Sequence, residues 1–192
     1  MKRPAVFIDR DGTISEEVGY VNHPSRFRLF PYSAEAIRIL NDKGWLAIVI
    51  TNQAGVARGY FSEDLMHQVN DQLTRDLLNE SARLDALYYC VHHPSVGEPP
   101  YCVDCDCRKP KPGLVQRAAN DFEIDLTASW MAGDRYSDIE LARNAGLRCA
   151  FLLSGYGRGE WEYQRGNWKH QPDLVCENLL EAVKSIVDHG SD

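Results

Sequence analysis

The chain has 192 residues, 44% of them hydrophobic and 26% charged, with a formal net charge of −7 at pH 7. That length gives one domain a substantial core and is short for two, so residues 1–192 are expected to form a single unit. The acidic surplus gives no general attraction to nucleic acid or anionic membrane, which would need a local basic patch that the sequence does not show as a block, and no apolar run reaches the length of a membrane span. Lys2-Arg3 before Val6-Phe7-Ile8 has the start of a signal peptide, but Asp9 ends the apolar run too early. The expected compartment is the cytoplasm, where six cysteines are more at home reduced or metal-bound than in disulfides.

Ala5-Val6-Phe7-Ile8 predicts a buried strand, and it ends abruptly on Asp9-Arg10-Asp11-Gly12-Thr13. Strand carboxyl ends are where α/β sheets build their sites. Alternation sends Asp9 and Asp11 to one side of an extended chain, and Gly12 lets the backbone turn at once. Such a pair can hold one Mg²⁺ and divide two chemical tasks, although Asp-Gly alone also marks an ordinary turn. Periodicity then predicts a helix from Ser33 to Lys43, stopped by Gly44, and a strand from Trp45 to Ile50 that delivers Thr51-Asn52. Ser62-Glu63-Asp64 caps a second helix that continues through Leu65, Val69, Leu73 and Leu77. Ala86 to Val91 reads as a short strand, and Pro112 opens a helix through Leu114, Val115, Ala118 and Phe122. A strand at Ser129 to Ala132 ends on Gly133-Asp134. After it come a helix from Ser137 to Asn144 closed by Gly146, a strand from Leu147 to Leu153, and an amphipathic helix from Glu177 to Val187.

Alternating strands and helices at this spacing predict an α/β fold, a mainly parallel sheet with helices on both faces. Right-handed crossovers put every strand's carboxyl end on one edge, so Asp9, Thr51 and Asp134 can converge there. Two segments break the alternation. Ser154 to Asp173, rich in glycine, aromatics and charge, reads as a long surface loop ahead of a flap over the site. His92 to Pro112 carries five of the nine prolines and little apolar content, so something should hold it in place.

Cys90-Val91-His92 and Cys105-Asp106-Cys107 bracket that proline-rich stretch. Three thiols and an imidazole form a tetrahedral Zn²⁺ set, and closing a long loop is what a structural zinc does. On residue types alone Cys102, Cys107 and His93 are all eligible ligands, while Cys149 and Cys176 lie in apolar runs and belong to the core. Arg108-Lys109 follows directly, two cations fixed near the predicted site edge, where Lys meets phosphate as a point charge and Arg as a planar fork.

DRDGT at Asp9 to Thr13, Thr51-Asn52, Lys109 and Gly133-Asp134 together resemble the four motifs of the haloacid-dehalogenase (HAD) superfamily of phosphotransferases, over almost all of Val6 to Leu153. The resemblance is strongest to a sugar-bisphosphate branch, through Gly19-Tyr20-Val21, Thr51 to Gly59, Cys90 to Pro94 and Cys105 to Pro110. A neighbouring branch shares TNQ, CxH and CDCRKP but has a shorter cysteine loop. The resemblance implies a Rossmann-like HAD core with a zinc-stapled loop at about 90–108. No cap domain is expected, since neither insertion is large enough to fold alone. It implies Asp9 as nucleophile, Asp11 as general acid and base, and Thr51 and Lys109 holding the transferred phosphoryl group. Mg²⁺ would sit on Asp9, the Asp11 carbonyl and Asp134, and Zn²⁺ on Cys90, His92, Cys105 and Cys107. Substrate contacts would come from Glu17, Val18, Gly19, Tyr20, Asn52, Gln53, Ala54, Arg108 and Arg135. A monomer acting on a small phosphorylated sugar is the expected molecule. The rival reading, a zinc-ribbon binding module on an inactive scaffold, is opposed by the acidic charge and the intact acid set.

Overall fold

A computed structural model describes residues 2–189. Six strands, β1 (Ala5–Ile8), β2 (Leu46–Asn52), β3 (Ala86–Cys90), β4 (Trp130–Gly133), β5 (Arg148–Leu152) and β6 (Leu174–Cys176), form one sheet in the order β3-β2-β1-β4-β5-β6. All five pairings are parallel. The helices are α1 (Ser33–Asp42), α2 (Glu63–Asn79), α3 (Gly113–Asp121), α4 (Tyr136–Ala145), α5 (Gly157–Gln164) and α6 (Leu179–His189).

Strand alternation divides the core into two layers. Val6 and Ile8, Ala47 and Val49, Trp130 and Ala132, and Ala150 and Leu152 face α1, α2 and α6. Phe7, Ile48, Ile50, Met131, Cys149 and Phe151 face the opposite layer, built from α3 and α4 with Trp161 of α5. β1 is fully buried, which is why it reads as an unbroken apolar run, and Cys149 and Cys176 are core residues as expected.

β1 pairs with β2 on one side and β4 on the other, so the chain winds outward in opposite directions from the β1/β4 junction. A crevice opens at the carboxyl ends of strands at such a reversal. The connection from β1 to α1 contains only a single 3₁₀ turn at Pro24–Arg26. Two features differ from the sequence expectation. The strand at Leu174–Cys176 has three residues, too few to show a period. The stretch after β5 is not a surface loop: it forms α5 and a 3₁₀ turn at Arg165–Asn167, fastened by Trp161 and Trp168 against Phe151.

Candidate active site

The end of β1 and the turn after it set the centre of the crevice. Asp9 takes up the ladder with its N–H on the Ala132 carbonyl, and the Arg10, Ile14 and Ser15 backbones then fold into a tight turn. Gly12 occupies φ +82°, and a Cβ there would run into the Asp134 carboxylate. Asp134, fully buried just after β4, accepts from Thr13 Oγ1 at 3.3 Å and from the Tyr156 N–H at 2.8 Å. Lys109 Nζ, also buried, lies 2.8 Å from both Asp9 Oδ1 and Asp138 Oδ1.

Carboxylate oxygens of Asp9, Asp134 and Asp138 come within 4.8 Å of one another. Three buried carboxylates face one ammonium, a deficit equal to the charge of one divalent cation. Burial raises Asp9 from the ordinary 3.8 to about 7 against the pull of Lys109, with Asp138 and Asp11 adding to the rise. Burial and the Asp9 and Asp138 charges raise Asp134 well above the carboxylate range. Burial opposes the Lys109 ammonium, but Asp138 and Asp9 more than offset it and hold its pKa above the ordinary lysine value. A cluster that cannot ionise fully without more positive charge, and that offers only hard oxygen donors, fits Mg²⁺.

Around this centre lies a cleft of about 330 Å³. Asp11 enters it with its carboxylate held by Arg10 and by Gln53 Nε2, which also donates to Thr51 Oγ1 at 2.8 Å. Thr51 therefore keeps its own O–H to donate into the cleft. Arg58, Arg108 and Arg135 give the wall positive charge, and Glu17, Gly19, Tyr20 and Ala54 form the rim. Arg135 is fixed twice, by Glu160 Oε1 at 2.6 Å from its Nε and by stacking on Tyr156 at 4.4 Å. Glu17 is raised by burial.

Cys90 closes β3 at the same edge. Its Sγ lies 3.5 Å from that of Cys105, Cys105 is 3.1 Å from Cys107, and His92 Nδ1 is 3.4 Å from Cys107 and 3.8 Å from Cys90. Tetrahedral zinc with Zn–S bonds of about 2.3 Å has S···S edges of about 3.8 Å, so the four donors are gathered as one metal would gather them. Burial opposes a thiolate at Cys105, yet Cys107, Cys90 and His92 bring it down to about 7, while burial pushes Cys90 up. Cys102 lies apart from the four, bridged to His93 in the loop.

The expected site residues thus meet at one edge, with two exceptions in detail. Val18 does not line the cleft; it packs against the core on the α1 side, where its carbonyl accepts from Arg26. Asn52 does line it, but its amide exchanges two hydrogen bonds with the Lys109 backbone, at 3.1 and 3.2 Å, and so acts on the lysine. Sequence reasoning missed Arg10, Asp138, Tyr156 and Glu160. Asp138 stands four residues after Asp134, in the first turn of α4, a spacing that could have exposed it. Tyr156 and Glu160 lay in the segment read as a loop.

An acid cluster at a sheet's switch point, facing a cation-lined cleft, defines a phosphoryl-transfer type of site. A family model described as HAD-hydrolase-like matches residues 106–182. The D-glycero-D-manno-heptose-1,7-bisphosphate 7-phosphatase of Thermosynechococcus vestitus is 41% identical over 98% of both chains. The D-glycero-beta-D-manno-heptose-1,7-bisphosphate 7-phosphatase of Pasteurella multocida is 40% identical over 96% of this chain and 97% of its own. The crystal structure of the D,D-heptose 1,7-bisphosphate phosphatase of B. bronchiseptica, complexed with magnesium and phosphate, superimposes with a TM-score of 0.84 at 29% identity, covering 98% of this chain and 99% of that one. The chain belongs to the D-glycero-D-manno-heptose-1,7-bisphosphate 7-phosphatase family of HAD-like hydrolases.

Proposed function

We propose that this protein removes the C7 phosphate of D-glycero-D-manno-heptose 1,7-bisphosphate, leaving the 1-phosphate for activation as ADP- or GDP-heptose and use in surface glycans such as the lipopolysaccharide core. It acts as a cytoplasmic monomer. The observation that carries this reading is the pairing of a buried acid cluster with a separate bank of arginines in one cleft. A bisphosphate needs both, one for the reacting phosphate and one for the phosphate that stays.

Asp9 attacks phosphorus and becomes an aspartyl-phosphate while Asp11 protonates the departing sugar oxygen. Asp11 then takes a proton from the water that hydrolyses the intermediate. Lys109, held by Asp138 and by Asn52, and the Thr51 hydroxyl meet the equatorial oxygens as charge spreads over them. Asp9, the Asp11 carbonyl and Asp134 would hold Mg²⁺, with Asp138 beside them as the Lys109 partner. The ion supplies the positive charge that lets a carboxylate approach a dianionic phosphate. Arg108 and Arg135 hold the distal phosphate, with Glu160 and Tyr156 fixing the Arg135 plane. The zinc set Cys90, His92, Cys105 and Cys107 staples the loop that delivers Arg108 and Lys109.

A phosphate-release panel with Mg²⁺ tests the reading, using both anomers of the heptose bisphosphate alongside histidinol phosphate. One or both heptose anomers should give the highest kcat/KM; preference for histidinol phosphate, or turnover of none, would refute the proposed substrate.

A further inference from the structure

Arg10, between the two proposed catalytic acids, is 1% exposed. Its Nη2 donates to Asp11 Oδ2 at 2.9 Å, its Nε lies 3.2 Å from both Asp11 oxygens, and its Nη1 donates to Asn70 Oδ1 at 2.9 Å. Asn70 is a buried polar residue of α2 whose Nδ2 has no hydrogen-bond partner among the described residues. An amide kept in the interior with its donor unmet points to the use of its acceptor, which fixes the Arg10 fork. Gln53 Nε2 adds a second bond to Asp11 Oδ2, at 2.9 Å. Oδ2 therefore carries two short bonds, while Oδ1 has only the long Nε contact and retains lone pairs for the cleft.

We infer that Arg10, locked by Asn70, is a positioning residue that fixes the Asp11 carboxyl so that Oδ1 is the oxygen exchanging protons with the leaving group and with water. The inference rests on the acid–base role proposed for Asp11. As the P–O bond to the sugar breaks and the bond from Asp9 to phosphorus forms, the Oδ1 proton passes to the sugar oxygen while Oδ2 keeps its Arg10 and Gln53 bonds. Water then attacks phosphorus, its proton goes to Oδ1, and Asp9 is released with inorganic phosphate. The acid is restored for the next cycle. Helix α2, which supplies no cleft residue of its own, reaches the chemistry through this chain of contacts.

The test compares kcat/KM for a sugar phosphate with kcat/KM for p-nitrophenyl phosphate. Both parameters end at the first irreversible step, but p-nitrophenolate leaves without a proton and a sugar alkoxide needs one. Asn70→Ala and Arg10→Lys should each lower the sugar-to-aryl ratio by roughly tenfold or more. A merely structural role would depress both substrates together and leave the ratio alone. Asp11→Asn, run in parallel, should lower the ratio further. An unchanged ratio in Asp11→Asn would overturn the acid–base role of Asp11 and this inference with it. A lowered ratio there, with Asn70→Ala and Arg10→Lys within about twofold of the unmodified protein, would overturn the positioning alone. If Arg10→Lys fails to fold, the Asn70→Ala ratio decides.

Discussion

Asp9 and Asp134 share a buried cluster with the Lys109 ammonium, and burial together with the neighbouring carboxylates raises both of their pKa values. A carboxyl whose pKa is raised on folding binds its proton more tightly in the folded chain. Its contribution to stability is full below the ordinary 3.8 and is lost as pH rises through about 7. Without metal, stability therefore falls progressively as pH rises from about 4 to about 7 and stays at the lower value above that. Mg²⁺ competes with those protons, so thermal melts should show a larger Mg²⁺-induced rise in Tm at about pH 8 than at about pH 5. An equal rise at both would mean that these carboxyls do not titrate against the ion. Motif residues carried this part of the site in the sequence because strand ends and Gly-rich turns are local features. Arg10 was not legible as a positioning group, because its partner Asn70 is sixty residues away on a helix whose pattern announces only an amphipathic face.

At the scale of elements, the β-strands of the central sheet were readable because burial on both faces makes them continuous apolar runs bounded by polar residues. The helices follow from spacing and caps, the Ser62 hydroxyl oxygen accepting from the Leu65 N–H at the start of α2 and Gly146 closing α4 with φ +73°. α5 escaped because its charged and glycine-rich sequence has no strong apolar stripe; tertiary contact through Trp161 and Trp168 holds it in place. Gly155 sits at φ +53°, and a Cβ there would strike the Asp134 carboxylate and the Gly12 Cα. Gly155→Ala should raise the Mg²⁺ concentration for half-maximal activity by about tenfold in a metal titration, with the fold retained by circular dichroism. The cysteine loop is a second element held by few groups. Elemental analysis should find about one zinc per chain, and Cys107→Ser should lower both zinc content and Tm. Unaltered zinc in that variant would move the fourth ligand to Cys102.

The whole molecule combines a net charge of −7 with a cleft lined by Arg58, Arg108, Lys109 and Arg135. An acidic net charge disfavours polyanions, while a local bank of cations draws a small, multiply charged phosphate ester to one edge. Parallel pairing puts every strand's carboxyl end on that one edge, and the strand order brings Asp9, Thr51, the cysteine loop and Asp134 to neighbouring strand ends. Among the described residues no helix is long and apolar enough to cross a membrane. In the proposed reaction Asp9 carries the phosphoryl group between substrate and water. Rapid acid quench during turnover of the heptose bisphosphate with Mg²⁺, followed by phosphopeptide mapping, measures it directly. Phosphate should be found on Asp9 and not on Asp11, Asp134 or Asp138; phosphate on any other residue, or none while product accumulates in a burst, would refute that role.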